Sequence, residues 1–241
     1  MFSEEESIIK NCIYNSLNKQ NGTIFDSLCD LFEAHFEKPV NNMLQLKKRN
    51  TKSKGFLFEV FCTLYLKEKN YEVWLLKDTP SEILSYLNVP SFDVGIDLIA
   101  RIKKKNQTSD TITDYFYFAV QCKYRKPTKD MQGRTVHRVT WKDVSTFVSL
   151  CSRTGPWLKH IIMTNAQNVS WRGKKSNKDW TIAKKSFEKC NKFFWMKLAN
   201  IKKKVEIEED VIINFGESKS LSNNELVRNN RQKWLDSLYS K

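Results

Sequence analysis

The sequence predicts an α/β fold whose core order is helix, three strands, helix, strand, preceded by an N-terminal helical extension. Three observations predict it. A helix apolar on more than one side runs from Gly55 to about Asn70, with Phe56, Phe58, Val60, Phe61, Leu64, Tyr65 and Leu66, as expected of a helix packed under a sheet. Three strand-like runs follow, near 71–76, 96–102 and 115–124, the last two joined across a polar loop as a hairpin. Then Val144, Phe147, Val148 and Cys151 recur at helical spacing before an apolar run from Leu158 to Met163.

In chain order, Ile8, Ile9, Cys12, Ile13 and Leu17 mark a first helix that ends at Asn21-Gly22. Thr23 with Asp26 three residues on is a capping signal for a second helix, whose apolar face is Ile24, Phe25, Leu28, Leu31, Phe32 and Phe36 and which stops near Pro39. Residues 1–50 thus form the extension, and Lys47-Lys48-Arg49 with Lys52 and Lys54 make a basic collar before the core helix. A short helix or loop lies between Pro80 and Pro90. Arg125 to Arg138 reads as an exposed basic loop, and Thr140 with Asp143 caps the helix after it. Ala183 to Cys190 reads as a helix and Phe193 to Leu198 as a last short strand, closing a core domain over 51–200. A tail over 201–241 carries an amphipathic helix around Leu226 to Leu238.

Two of the strands carry groups that a plain strand avoids. In Phe118-Ala119-Val120-Gln121-Cys122-Lys123-Tyr124 the two-residue period sets Gln121 and Lys123 on one face. In Asp93-Val94-Gly95-Ile96-Asp97-Leu98-Ile99-Ala100 a carboxylate, Asp97, sits in or just before a buried strand and so needs a cation or a lysine beside it. Glu59 is the one acid in the first turns of the core helix. Glu59, Asp97, Gln121 and Lys123 are read as one site. Oxygen ligands from Asp97 and Gln121 suit a hard divalent cation, which offsets charge on a phosphodiester and acidifies a water. A lysine on the same face can position or deprotonate that water. Taken singly, the same residues could be a buried Asp–Lys pair with a hydrogen-bonded glutamine.

At these residues, over about Lys54 to Leu198, the chain resembles the PD-(D/E)XK nucleases, most closely their Mrr-type branch with its G-x-D and Q-x-K motifs. The resemblance implies a restriction-endonuclease-like fold with a central mixed sheet flanked by helices, and a Mg- or Mn-dependent deoxyribonuclease. It makes Asp97 the metal-binding aspartate, Lys123 the catalytic lysine and Glu59 the helix glutamate. Gln121 stands at the second ligand position, the backbone carbonyl of Cys122 is a further ligand, and Asp93 is an additional acid of some members. Two positions depart from the name-giving pattern: Ile96 replaces the proline and Gln121 a carboxylate. The signature also resembles that of Holliday-junction resolvases, which keeps a structure-selective nuclease open. A DNA-binding protein that retains the fold without cleavage stays open through Gln121.

Composition agrees with a nucleic-acid partner: Lys plus Arg number 41 against 27 for Asp plus Glu, a net charge of +14. Candidate DNA contacts are Arg125, Lys126, Arg134 and Arg138 in the basic loop, and Trp171, Arg172, Lys174, Lys175, Lys178 and Trp180, where basic groups alternate with indoles suited to stacking. Cutting both strands would call for two sites and hence a homodimer. No apolar run approaches the ~20 residues of a membrane span, and the acidic start Glu4-Glu5-Glu6 is unlike a secretory signal, so an intracellular protein is expected. Six scattered cysteines without a C-x-x-C pair read as buried thiols. His35, His137 and His160 are widely separated, and phosphate-loop and serine-hydrolase motifs are missing, which argues against zinc, ATPase and serine-hydrolase chemistry.

Overall fold

A computed structural model describes residues 3–19, 22–36, 43–92, 95–104, 110–126, 128–129, 132, 135–136, 138–170 and 181–201. The helices are α1 (Ser3–Leu17), α2 (Ile24–Phe36), α3 (Met43–Glu68), α4 (Ser81–Tyr86), α5 (Trp141–Cys151), α6 (Lys184–Glu188) and α7 (Lys192–Leu198). The strands are β1 (Glu72–Leu75), β2 (Leu98–Lys103), β3 (Tyr115–Lys123), β4 (Thr128–Lys129), β5 (Thr135–Val136), β6 (Arg138–Thr140), β7 (Lys159–Thr164), β8 (Asn168–Ser170) and β9 (Thr181–Ile182). One sheet has the order β1-β2-β3-β7-β9. Its first two pairings are antiparallel and its last two parallel, so the expected helix, three strands, helix, strand order and mixed sheet are what α3, β1 to β3, α5 and β7 form.

Both faces of this sheet are covered, which is why β3 is buried from Tyr117 through Cys122. The strand period splits it: Phe118, Val120 and Cys122 join a core with α1, α2, α3 and α7, while Tyr117 and Ala119 join a second core with α4 and α5. The first core is aromatic. Phe25 stacks on Phe187 at 4.5 Å between ring centres, and Phe61 on Trp195 at 6.2 Å. Truncating a buried ring such as Phe61 to alanine typically costs about 3–5 kcal/mol, so the extension, which supplies Phe25, is part of what stabilises this core.

Local signals decide several boundaries. Thr23 Oγ1 accepts from the Asp26 N–H at 3.0 Å and starts α2. The Asp143 carboxylate accepts from both the N–H and the Oγ1 of Thr140, each at 2.7 Å, and starts α5. The strand expected from Phe193 to Leu198 is instead α7. Asn191 Oδ1 accepts the Phe194 N–H at 2.9 Å as an N-cap, and Trp195 and Leu198, three residues apart, are the buried pair. A run that is apolar at nearly every position has no readable period, and the cap before it decides. Helix α3 also starts earlier than expected, at Met43, taking the basic collar into its own length.

The Arg125–Arg138 stretch carries the antiparallel pair β4–β5, and β6 runs parallel to β8. Among the described residues no helix is long and apolar enough to cross a membrane, and the cysteines are free, with Cys12, Cys62, Cys122 and Cys151 buried. Contacts divide the chain after Lys202. The expected helix around Leu226 to Leu238 lies outside the described residues.

Candidate active site

The site is set where the antiparallel pair β2–β3 ends. Leu98 faces Val120, so one step further along the ladder Asp97 stands opposite Gln121, the Asp97 N–H bonding the Val120 carbonyl at 2.9 Å. The Asp97 carboxylate reaches across the strand: its Oδ2 accepts the backbone N–H of Cys122 at 2.6 Å. Its main-chain carbonyl accepts from the Leu76 N–H at 2.9 Å, which ties the residue to the end of β1 as well. Asp97 is thus fixed on both sides by backbone.

Gln121 is 3% exposed. Its Nε2 donates to the Gly95 carbonyl at 2.9 Å, which fixes the orientation of the amide. The other end, Oε1, is buried and has no hydrogen-bond partner among the described residues. A buried amide oxygen left in this state costs about 1–3 kcal/mol and is the kind of group that a bound cation satisfies. Gly95 makes the approach possible: it holds φ +97°, and an added Cβ would meet the Phe147 N–H nitrogen at 3.6 Å and Gln121 Nε2 at 3.8 Å. The left-handed backbone, more than crowding, is what calls for glycine.

Glu59 approaches from α3. It lines one cleft together with Asp97, and the walls are Phe56, Leu75, Leu76 and Ile96, with Lys77 and Ser91 completing it. The hydrogen-bonded thiols of Cys62 and Cys122 are pushed up first by burial, and the charges of Asp97 and Glu59 both push them the same way. Both carboxylates therefore bear on one point of the core. Lys123 is half-buried and shares Gln121's face by strand period. Asp93 lies outside the described residues.

Among the described residues no three His, Cys, Asp or Glu side chains gather as a metal cluster, as follows from an amide at position 121. The oxygen donors nonetheless fit a hard cation: the Asp97 carboxylate, the unpartnered Gln121 Oε1 and the nearby Glu59.

A family model described as a restriction endonuclease matches residues 64–193, which is 130 of the 241 residues. The chain belongs to the restriction endonuclease family. No curated protein and no solved structure matches it. The match holds Asp97, Gln121 and Lys123 and begins five residues after Glu59, and the Mrr-type resemblance read from those residues agrees with it. Membership makes the protein a nuclease.

The candidate DNA contacts of this restriction endonuclease relative fall into two groups. The Arg125 guanidinium bonds the Asp143 carboxylate at 2.6 Å, and Lys126 Nζ lies 3.1 Å from Glu33 Oε2 with its side chain 61% exposed. Glu33, on α2, also accepts from the buried Lys54. Burial alone would raise the Glu33 carboxyl, but the hydrogen bonds and charges of Lys54 and Lys126 outweigh it and hold it below its ordinary value. Arg134 and the stretch from Trp171 to Trp180 lie outside the described residues, as does the side chain of Arg138, whose backbone forms β6.

Sequence reasoning missed Glu33, Thr164 and Asn165. Thr164 Oγ1 donates to the Lys123 carbonyl at 2.7 Å. Asn165 accepts the Arg125 N–H at 2.7 Å through Oδ1 and donates to the Arg125 carbonyl at 2.8 Å through Nδ2. The available signal was a Thr-Asn pair directly after an apolar strand, where polar groups able to mimic backbone are favoured.

Proposed function

We propose that this protein is a divalent-cation-dependent DNA endonuclease of Mrr-like kind. The observation that supports this most is the buried Oε1 of Gln121, without a hydrogen-bond partner, on the residue opposite Asp97. In this reading Asp97 and Gln121 Oε1, with the Cys122 carbonyl, hold a Mg or Mn ion, Glu59 adding its carboxylate from α3. The ion supplies charge neutralisation at the phosphodiester and lowers the pKa of a water. Asp97 keeps its orientation through the Cys122 N–H, so the carboxylate is aimed before any ligand arrives. Gln121 spends its NH₂ on Gly95, which leaves its buried oxygen as the end available to an ion. Lys123, on the same face, directs an ammonium at the reacting phosphate and its attacking water. Lys126 and the basic stretch Arg172 to Lys178 bind the DNA backbone. Two copies together cut both strands.

The deciding experiment is a cleavage assay on linear, single-stranded, methylated and four-way-junction DNA with Mg, Mn or EDTA. Cutting of duplex DNA that EDTA stops and Asp97→Asn abolishes is the expected result. Cutting confined to the four-way junction would make it a structure-selective nuclease. Salt-sensitive DNA binding without cutting of any substrate would make it a binding protein on a nuclease fold.

A further inference from the structure

We infer that Thr164 and Asn165, at the end of β7, are positioning residues that hold the catalytic strand's terminus and thereby aim Lys123. This deepens the nuclease reading and rests on it.

The geometry is a polar clamp in a place where apolar residues would otherwise complete the sheet. β3 and β7 run parallel, and their register ends with Lys123 opposite Thr164. Beyond that step the regular ladder stops, and side chains take over. Thr164 Oγ1 donates to the Lys123 carbonyl at 2.7 Å while accepting the Ala166 N–H at 3.1 Å. Asn165 satisfies both backbone groups of Arg125, at 2.7 and 2.8 Å, as an additional strand residue would. The two residues are 0% and 3% exposed. A fourth bond fixes the same segment, Arg125 Nη2 to Asp143 Oδ1 at 2.6 Å, and Asp143 is itself committed to capping α5 through Thr140.

The result is a three-residue stretch, Lys123-Tyr124-Arg125, with its backbone pinned from a neighbouring strand although it lies at the sheet's end. A lysine stem has four rotatable bonds, so its Cα must be fixed if the ammonium is to stay within reach of one phosphate oxygen. Misplacement of a reacting group by about 1 Å can cost on the order of 100-fold in rate. Without the clamp, the strand end bearing Lys123 would fray as strand ends do, and Lys123 would sample positions out of line with Gln121. Tyr124, between the clamped residues, packs on Phe58 at 5.5 Å between ring centres. That contact joins the same stretch to the helix that carries Glu59, so the clamp also sets the separation of helix and strand components of the site.

The test is single-turnover cleavage at saturating duplex DNA, run at a temperature where circular dichroism shows each variant fully folded. Thr164→Val keeps shape but removes the hydroxyl, and it should cut roughly 10- to 100-fold more slowly with half-saturating DNA concentration within about two-fold of the parent. Thr164→Ser restores the hydroxyl and should restore the rate. Asn165→Ala should match Thr164→Val. Asn165→Asp, which keeps the acceptor for the Arg125 N–H and loses the donor to its carbonyl, should fall between, and it decides the matter if Asn165→Ala does not fold. Thr164→Val and Asn165→Asp cutting at the parental rate would overturn the inference, whatever their melting temperatures. That failure differs from failure of the nuclease reading, in which the parent protein itself would not cut.

Discussion

The carboxylate of Asp97 accepts the backbone N–H of Cys122 at 2.6 Å, the residue between Gln121 and Lys123. One bond thus joins the two strands of the site at the midpoint of its Q-x-K motif. It gives Asp97 a structural duty beside the proposed chemical one, and the two can be separated by choice of substitution.

Asp97→Asn keeps an oxygen for the Cys122 N–H, so its melting temperature should stay near the parent's while cleavage falls by ~10²-fold or more, equivalent to about 3 kcal/mol. Asp97→Ala leaves that buried N–H without its acceptor and should lose about 1–3 kcal/mol of stability as well. Thermal melts beside cleavage rates distinguish the two. Equal stability of both variants would remove the hydrogen bond from the account.

Gln121→Glu exchanges the Nε2 donor to the Gly95 carbonyl for a second carboxylate opposite Asp97. In EDTA the variant should therefore melt below the parent, by an amount equivalent to about 1–3 kcal/mol. Added Mn should raise its melting temperature more than the parent's and leave Asp97→Ala unmoved. A melting temperature insensitive to Mn in all three proteins would sink the ion site.

Glu33 should make stability depend on acid. Its carboxyl is held below the ordinary value of 4.5 in the folded chain, so the unfolded chain binds the proton first. The stabilisation it gives is present above pH ~4.5 and is lost as pH falls through its lowered folded value. Asp143 is shifted the same way through Thr140 and Arg125 despite its burial. Glu33→Gln should be less stable at neutral pH and show a flatter decline below pH ~4.5. Denaturant midpoints measured across that window test it, and parallel curves for parent and variant would refute it.

DNA affinity should fall steeply with salt. Reversing charges at Arg172, Lys174, Lys175 and Lys178 should weaken binding across all sequences and reduce the salt slope by about 1 for each phosphate contact removed. Fluorescence titrations over a range of salt concentrations give that slope directly. Trp171→Ala and Trp180→Ala separate stacking from packing, because loss of stability with unchanged binding would rule stacking out.

What could be read in the sequence was what local period and composition encode. The two faces of Phe118 to Tyr124, the capping pair Thr140 and Asp143, and the doubly apolar helix around Phe58 and Phe61 were all legible, because each depends on neighbours a few residues away. The pairing of Asp97 with the Cys122 N–H was legible only as a need, since a buried acid must find a partner but its spacing does not name one. Phe193 to Leu198 misled because apolar residues at nearly every position erase the difference between periods of 2 and 3.6. Glu33 and Asn165 could not be found by spacing: one meets Lys54 and Lys126 from another helix, and the other meets Arg125 from 40 residues away. Such contacts exist only once the sheet and its covering helices are assembled.

The position of β3 in the sheet has a consequence for how the protein moves. With β2 on one edge and β7 on the other, the amides leading up to Gln121 and Lys123 can be released only when strands separate on a side, which places them at the high end of local opening free energies. In deuterated solvent the strand bearing the Q-x-K motif should therefore be among the last segments to exchange, well after β1 at the sheet's border. Substrate cannot be accommodated by loosening that strand. In the proposed reading the DNA then conforms to a stiff site, and its readiness to bend or open sets which substrates are cut.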